Sequence, residues 1–326
     1  MTEGAAADRS FTSFCVVGLG GHARSKLIPA ILANGQRLDA IVTRQTVAGL
    51  AGERRFPDLA AALKALPRDV TILIATPPAI HFDQASRALA AGFDVIVEKP
   101  AFITGNEARA ARAICEQTGA LLIEGFMHRQ TRLYQRLLTD WPGLRDQVIK
   151  LDVDFLIPQM PLDTFRQGSD MASSAIYDIG CYPVSLLDDL GVDVAALAVT
   201  AVSHPADPAL EAIDLVGHAG DLVIRVSVGV ADSYLNRLRL TLRDDVQLEF
   251  APFFFGPPGE RRIVRLSEGG AAEEVSEEAN ALEGMLKVPV AIWRSDRAER
   301  WHSMTAVADQ LERLANDVAA HRVSAQ

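Results

Sequence analysis

Lys99 sits in Glu98-Lys99-Pro100, directly after the apolar run that ends at Val97. A following proline restricts a residue to extended backbone. An ammonium at the exit of a buried strand is costly unless it is paired or used. The position therefore reads as a proton-handling group delivered to one point. Asp178 and Tyr182 lie four residues apart, so on a helix they share a face. An ammonium beside a phenol favours phenolate and draws its pKa from about 10 toward working pH. Such a trio can move a proton on a substrate oxygen while stabilising the developing alkoxide. In that reading Tyr182 is the proton donor and acceptor. Lys99 is the cation that polarises the oxygen or carries the proton itself. Asp178 orients the lysine and a neighbouring substrate hydroxyl.

A second group of residues could bind a dinucleotide. Gly18-Leu19-Gly20-Gly21-His22-Ala23 has the form G-x-G-x-x-A, after the apolar run Phe14–Val17 and before an amphipathic segment. Glycines permit a tight turn and close approach to a pyrophosphate, and Ala23 lets the helix pack on the strand. The strand that ends in Val42-Thr43-Arg44 offers a hydroxyl and a guanidinium where an NAD site usually has an acid. Asp39 has nearly the right spacing but lies at the strand's start. A guanidinium suits a 2′-phosphate, so NADP is preferred over NAD. Ala75-Thr76-Pro77 closes another apolar run and is expected to line the nicotinamide-ribose side. His81, Glu98 and Lys99 complete the expected cofactor contacts, although His81 also suits a helix-start position. His128, Arg129 and Arg166 are candidates for substrate hydroxyls or a phosphate, and equally for salt bridges. No His/Cys/Asp cluster has metal-ligand spacing, and none is expected.

These groups need a frame. Ser13–Gly18, Leu38–Thr43, Thr71–Thr76, Asp94–Glu98 and Leu121–Gly125 read as buried strands. Ala23–Asn34, Asp58–Leu66, His81–Ala91 and Asn106–Thr118 read as the helices between them. That alternation predicts βαβ units and a doubly wound parallel sheet. Beyond Gly125 the period changes. A helix over Gln130–Leu138 is predicted to stop at Trp141-Pro142-Gly143. The stretches around Ile149–Phe155, Leu222–Val228 and Leu238–Leu242 then alternate apolar and polar residues, as half-buried strands do. A mostly antiparallel open sheet follows, covered by helices near Ala175–Leu190 and Ser303–Ala320. The fold class is α/β, a Rossmann domain followed by an α+β domain. The expected divisions are a disordered tail over 1–10, a nucleotide domain over 11–126 and a substrate and oligomerisation domain over 127–326.

At 326 residues two cores are the natural expectation. A composition of 49% hydrophobic and 23% charged residues is that of a globular chain. The net charge of -10 argues against nucleic acid and anionic membrane partners. Cys15, Cys115 and Cys181 form no C-x-x-C pair and suit a reducing compartment. No signal peptide or membrane span is visible, so the expected location is the cytoplasm.

Four ordered motifs resemble the Gfo/Idh/MocA oxidoreductases. They are Gly18–Ala23, Ala75-Thr76-Pro77-Pro78-Ala79-Ile80-His81, Ala91–Pro100 with its Glu-Lys-Pro end, and Asp178-Ile179-Gly180-Cys181-Tyr182-Pro183. Glu124–Arg129 resembles the entry into that family's second domain. The resemblance implies reversible hydride transfer at a hydroxyl or keto carbon of a sugar, polyol or sugar derivative, free or nucleotide-linked. It also implies a homodimer or homotetramer formed through the open sheet. It gives Lys99 as the signature lysine and Asp178 as the aspartate four before the proton-exchanging residue. Tyr182 stands where most members have histidine, as in the glucose–fructose oxidoreductase, xylose dehydrogenase and dihydrodiol dehydrogenase branch. Ala172-Ser173-Ser174 replaces the glycines usual in that branch. The rival reading is a regulator that senses NAD(P) on the same fold without turnover.

Overall fold

The structure is a computed structural model that describes residues 10–45, 54–159, 174–193, 195, 197–204, 207, 210–256, 261–266, 274–276 and 280–324. The chain divides into two compact units. One holds the chain up to Phe126 together with Leu282–Thr305, the other Met127–Ala281 and Ala306–Gln326. The 1–10 tail lies almost wholly outside the described residues.

In the first unit β1 (Ser13–Val17), β2 (Arg37–Val42), β3 (Arg54–Phe56), β4 (Thr71–Ile74), β5 (Val95–Val97) and β6 (Leu122–Glu124) form one sheet. Their order is β3-β2-β1-β4-β5-β6, and every pairing is parallel. Aliphatic runs such as Cys15–Val17 and Ile72–Ile74 are buried throughout, as a sheet covered on both faces requires. The intervening helices are α1 (Ile28–Ala33), α2 (Leu59–Ala65), α3 (His81–Ala90) and α4 (Gly105–Thr118). Asp58 and Thr104 cap α2 and α4 by accepting from Ala61 N and Glu107 N. The predicted helix over Ala23–Asn34 differs at its start, where Ala23–Leu27 is wound as a π-turn and Ile28 N–H donates to Ala23 O. Pro29 has no N–H and would crowd the Ser25 carbonyl in a regular α-turn, which the wider turn relieves.

The unit does not end at Phe126. Helices α8 (Ala281–Lys287) and α9 (Val290–Ser295), with the first part of α10 (Arg297–Ser324), pack with it. Gln36 Nε2 donates to Leu286 O (2.8 Å), Asn34 Nδ2 to Glu283 O (3.0 Å), and Arg294 pairs with Asp94 (3.1 Å). An unbroken second domain over 127–326 is therefore corrected.

In the second unit eight strands form a mixed sheet: β7 (Val148–Ile157), β8 (Ala198–Ser203), β9 (Ala212–Ala219), β10 (Leu222–Val230), β11 (Leu235–Leu242), β12 (Gln247–Ala251), β13 (Arg261–Leu266) and β14 (Glu274–Ser276). The order is β14-β13-β12-β11-β7-β10-β9-β8, and only β7 with β10 is parallel among these pairings. Leu151, Val153 and Phe155 share a buried face with Ile224, Val226, Val228, Leu238 and Leu240. The opposite face carries Lys150–Asp152, Arg237–Asp154 and Arg239–Glu249 ion pairs. Helix α5 (Arg132–Leu144) runs through Pro142 instead of stopping at it. Buried Leu133, Tyr134, Leu137 and Trp141 hold its inner face, and Trp141 Nε1 donates to Leu190 O at 2.8 Å. That packing offsets the roughly 3 kcal/mol a helical proline costs.

Candidate active site

The strand order of the first sheet reverses between β1 and β4, the switch point at which such sheets bind ligands beyond their carboxyl ends. Gly18 leaves β1 there with φ +91°, and Ala75 leaves β4 with its N–H on Val17 O (2.8 Å). A Cβ at Gly18 would come within 2.8 Å of Thr76 Cγ2 and 3.0 Å of Ala75 O, so only glycine fits. Nothing lies within 4 Å of a Cβ built on Gly20 or Gly21. The turn is thus tight against β4 and open outward, and the first helical turn beyond it directs N–H groups into that space. These residues fit a dinucleotide pyrophosphate.

Lys99 follows β5, which neighbours β4, so the glycine turn, Ala75-Thr76 and Glu98-Lys99 stand on consecutive strand ends. Several contacts fix the exit. Gly125 N–H donates to Val97 O (2.7 Å), and a Cβ on Gly125 would press on Val97 O and Glu98 Cα. Ala101 N–H donates to Glu124 Oε1 (2.8 Å). His22 Nε2 lies 3.4 Å from Glu98 Oε1 and joins the glycine turn to the lysine strand. Burial pushes the Glu98 carboxyl up, but the His22 hydrogen bond and charge, with Lys99 and His81, outweigh it and hold the group below the usual carboxylate range.

His81 is not placed as a cofactor contact. It is wholly buried, with Nδ1 2.9 Å from Pro100 O and Nε2 2.7 Å from Thr76 O. Burial lowers its pKa despite these acceptors. The imidazole ties the β4 exit to the peptide after Lys99. At β2, Thr43 Oγ1 accepts from Gln45 N, and Arg44 is exposed. Arg24, not singled out from sequence, reaches the same end: its Nη2 donates to Gln45 Oε1 (2.5 Å) and its Nε to Leu19 O (3.1 Å). The signal was available in a cation one residue past Ala23 in a helix that starts beside β2.

In the second unit the predicted single helix over Ala175–Leu190 is two, α6 (Ala175–Asp178) and α7 (Cys181–Asp189). Gly180 separates them because it packs on Ile176, whose O would lie 2.6 Å from an added Cβ. Asp178 therefore ends one helix and Tyr182 begins the next, instead of stacking along one. Both are nearly buried. The Tyr182 ring is set among His128 (5.1 Å), Phe155 (5.1 Å), Phe254 (5.3 Å) and Phe255 (5.7 Å). His128 is a packing residue, fully buried and 3.3 Å from Ser185 Oγ. Arg129 is committed to a fork on Asp189 (2.8 and 2.9 Å), which also accepts from Tyr134 OH (2.6 Å). Both thus have bonding partners inside the second unit. Arg166 lies outside the described residues. Among the described residues no group of three or more His, Cys, Asp or Glu could hold a metal, and no helix is long and apolar enough to cross a membrane.

A Rossmann sheet with a glycine turn at its switch point defines a dinucleotide-binding protein. Residues 12–126 match the model of the Gfo/Idh/MocA oxidoreductase family, described as having an NAD-binding Rossmann fold. Among curated relatives, the D-xylose 1-dehydrogenase (NADP(+)) 2 of Haloferax volcanii is 28% identical over 179 residues, 53% of this chain and 55% of the relative. The dTDP-3,4-didehydro-2,6-dideoxy-alpha-D-glucose 3-reductase of Streptomyces violaceoruber is 30% identical over 218 residues, 64% of this chain and 62% of the relative. The chain thus spans less than two thirds of the length of these relatives. Among solved structures, a variant of a 3-ketoreductase from Actinomadura kijaniata, in complex with TDP-benzene and NADP, superposes with a TM-score of 0.76 at 19% identity, covering 94% of this chain and 97% of that one. Aldose-aldose oxidoreductase from Caulobacter crescentus gives 0.75 at 17%, covering 98% and 99%. These two likenesses concern the fold.

Proposed function

We propose that the protein is an NADP(H)-dependent oxidoreductase acting on a keto or hydroxyl carbon of a sugar, with a nucleotide-linked sugar among its candidate substrates. The observation that carries this reading is the row of strand ends at the switch point, where Lys99 leaves β5 next to the exits of β4 and β1. The names of the relatives, an NADP(+) xylose dehydrogenase and a dTDP-sugar 3-reductase, support both the cofactor and the substrate class. Arg44, just past β2, and Arg24, which bonds Gln45, bear on the cofactor alone, where guanidiniums favour a 2′-phosphate.

Bound nicotinamide supplies or accepts hydride at C4. The chain's own groups handle the proton: Tyr182 donates to or accepts from the reacting oxygen, Lys99 polarises it, and Asp178 orients the neighbouring hydroxyl. The glycine turn and Ala75-Thr76 hold the cofactor, and two guanidiniums give NADPH preference over NADH. Assembly into a homodimer or homotetramer through the ion-paired face of the eight-stranded sheet belongs to the same reading.

The test is a fluorescence titration with NADPH and NADH, then turnover with keto-sugars and TDP-linked keto-sugars. Lys99→Met is expected to cut kcat by at least about 100-fold while NADPH binding stays within a few-fold. Equal loss of both would remove Lys99 from the chemistry. NADPH bound but never oxidised across both panels would establish the silent regulator instead.

A further inference from the structure

Among the described residues of the second unit, the mechanism leaves one buried carboxylate without a task. Glu211 precedes β9 and is fully buried. Its Oε1 accepts from Ser174 Oγ (2.7 Å), at the N-cap of α6, and from Ala175 N–H (3.0 Å), at its first residue. Its Oε2 accepts from Arg322 Nε (2.9 Å) and Nη2, a guanidinium in the last turn of α10. Its main-chain oxygen accepts from Val230 N–H at 2.9 Å. Gly229 leaves room for that contact, since a Cβ there would lie 2.2 Å from Glu211 O. One residue therefore joins β9, β10, α10 and the start of α6.

A buried carboxylate is costly unless it is charge-paired and hydrogen-bonded. Here both oxygens are used, and two of the four bonds go to the single turn that carries Asp178. That turn transmits position directly. Asp178 N–H donates to Ser174 O (3.2 Å), and Ile179 and Gly180 N–H both donate to Ala175 O (2.9 Å). A helix of four residues has too few internal bonds to hold itself.

We infer that Glu211, with Arg322 as its counter-ion, is the positioning residue that fixes Asp178 for proton handling, so that the C-terminal helix sets the geometry of the candidate acid–base group. The inference rests on the reading of Asp178 given above. Glu211→Gln keeps an acceptor for Ser174 and Ala175 but removes the charge that holds Arg322. It is expected to lower kcat by about 10-fold or more with the KM for NADPH unchanged. Combined with Asp178→Asn, which removes the group being positioned, it should cost little further. Arg322→Gln should reproduce the effect in part and Arg322→Lys should restore most of it. The same factor lost in the wild-type and Asp178→Asn backgrounds, or a change in KM alone, would overturn the inference.

Amide hydrogen exchange keeps the test independent of turnover. In Glu211→Gln and Arg322→Gln the amides of residues 175–180 should exchange faster, while those of β7 and β11 remain as in the wild type. Unchanged protection at 175–180 would overturn the inference even if no substrate is ever turned over. An inactive wild type with the expected exchange pattern would count against the enzyme reading alone.

Discussion

At the level of single residues, most candidate groups are shared between two purposes. Glu98 stands between the glycine turn and Lys99, and its side chain is only 13% exposed. Burial disfavours its charge, yet His22, Lys99 and His81 together hold its carboxyl below the ordinary range. A carboxylate whose pKa is depressed by folding stabilises the fold above its unfolded pKa, about 4.3, and loses that contribution as pH falls through the folded value. Glu98→Gln should therefore lower the melting temperature at pH 7, and the gap from wild type should close below about pH 4.3. Thermal melts of both proteins from pH 3 to 8 check this, and a gap constant across the range would mean that the charge contributes nothing. His81 shows the opposite economy of exposure: its ring nitrogens lie 2.9 and 2.7 Å from the main-chain oxygens of Pro100 and Thr76, and the neutral ring that burial favours donates to one of them. Its position in the Thr76–His81 motif was legible, but its task was not. A histidine at a helix start looks the same in sequence whether it faces a ligand or locks a turn.

At the level of elements, periodicity identified the five buried strands near the candidate cofactor turn because each is a continuous aliphatic run. It missed β3, whose Arg54-Arg55-Phe56 has no such run and pairs only with the outer side of β2. The division of α6 from α7 was equally hidden, because Ala175–Leu190 is apolar enough to read as one helix and the break depends on the fit of Gly180 against Ile176. Gly180→Ala tests that fit. The clash is with the main-chain oxygen of Ile176, at 2.6 Å, so no side-chain rearrangement can relieve it. The variant should lose about 1–3 kcal/mol of stability and shift Asp178 relative to Tyr182. Urea unfolding gives the first quantity. A loss below about 0.5 kcal/mol, the range of neutral surface changes, would show that α6 and α7 can merge without penalty.

At the level of the whole chain, the motifs fixed where the first unit starts its sheet but not where its sequence ends. Residues 282–305 carry no nucleotide-binding pattern and follow the strands of the second unit, so nothing in their order assigns them to the first. Their burial does. Leu282, Met285, Leu286, Trp301 and Met304 are all nearly inaccessible, and the join is made by hydrogen bonds across about 250 residues of sequence. Gln36 is central to it, because its Nε2 donates at 2.8 Å both to Phe11 O, at the entrance to β1, and to Leu286 O in α8. Gln36→Ala would leave two carbonyls without this donor, at about 1–3 kcal/mol for each buried acceptor left unsatisfied. The urea midpoint should fall accordingly, and amides of residues 282–288 should lose exchange protection before those of β1 or β4. If protection falls uniformly across the first unit instead, the C-terminal segment unfolds with the sheet, and the bond contributes to one cooperative core, not to the attachment of a separate layer.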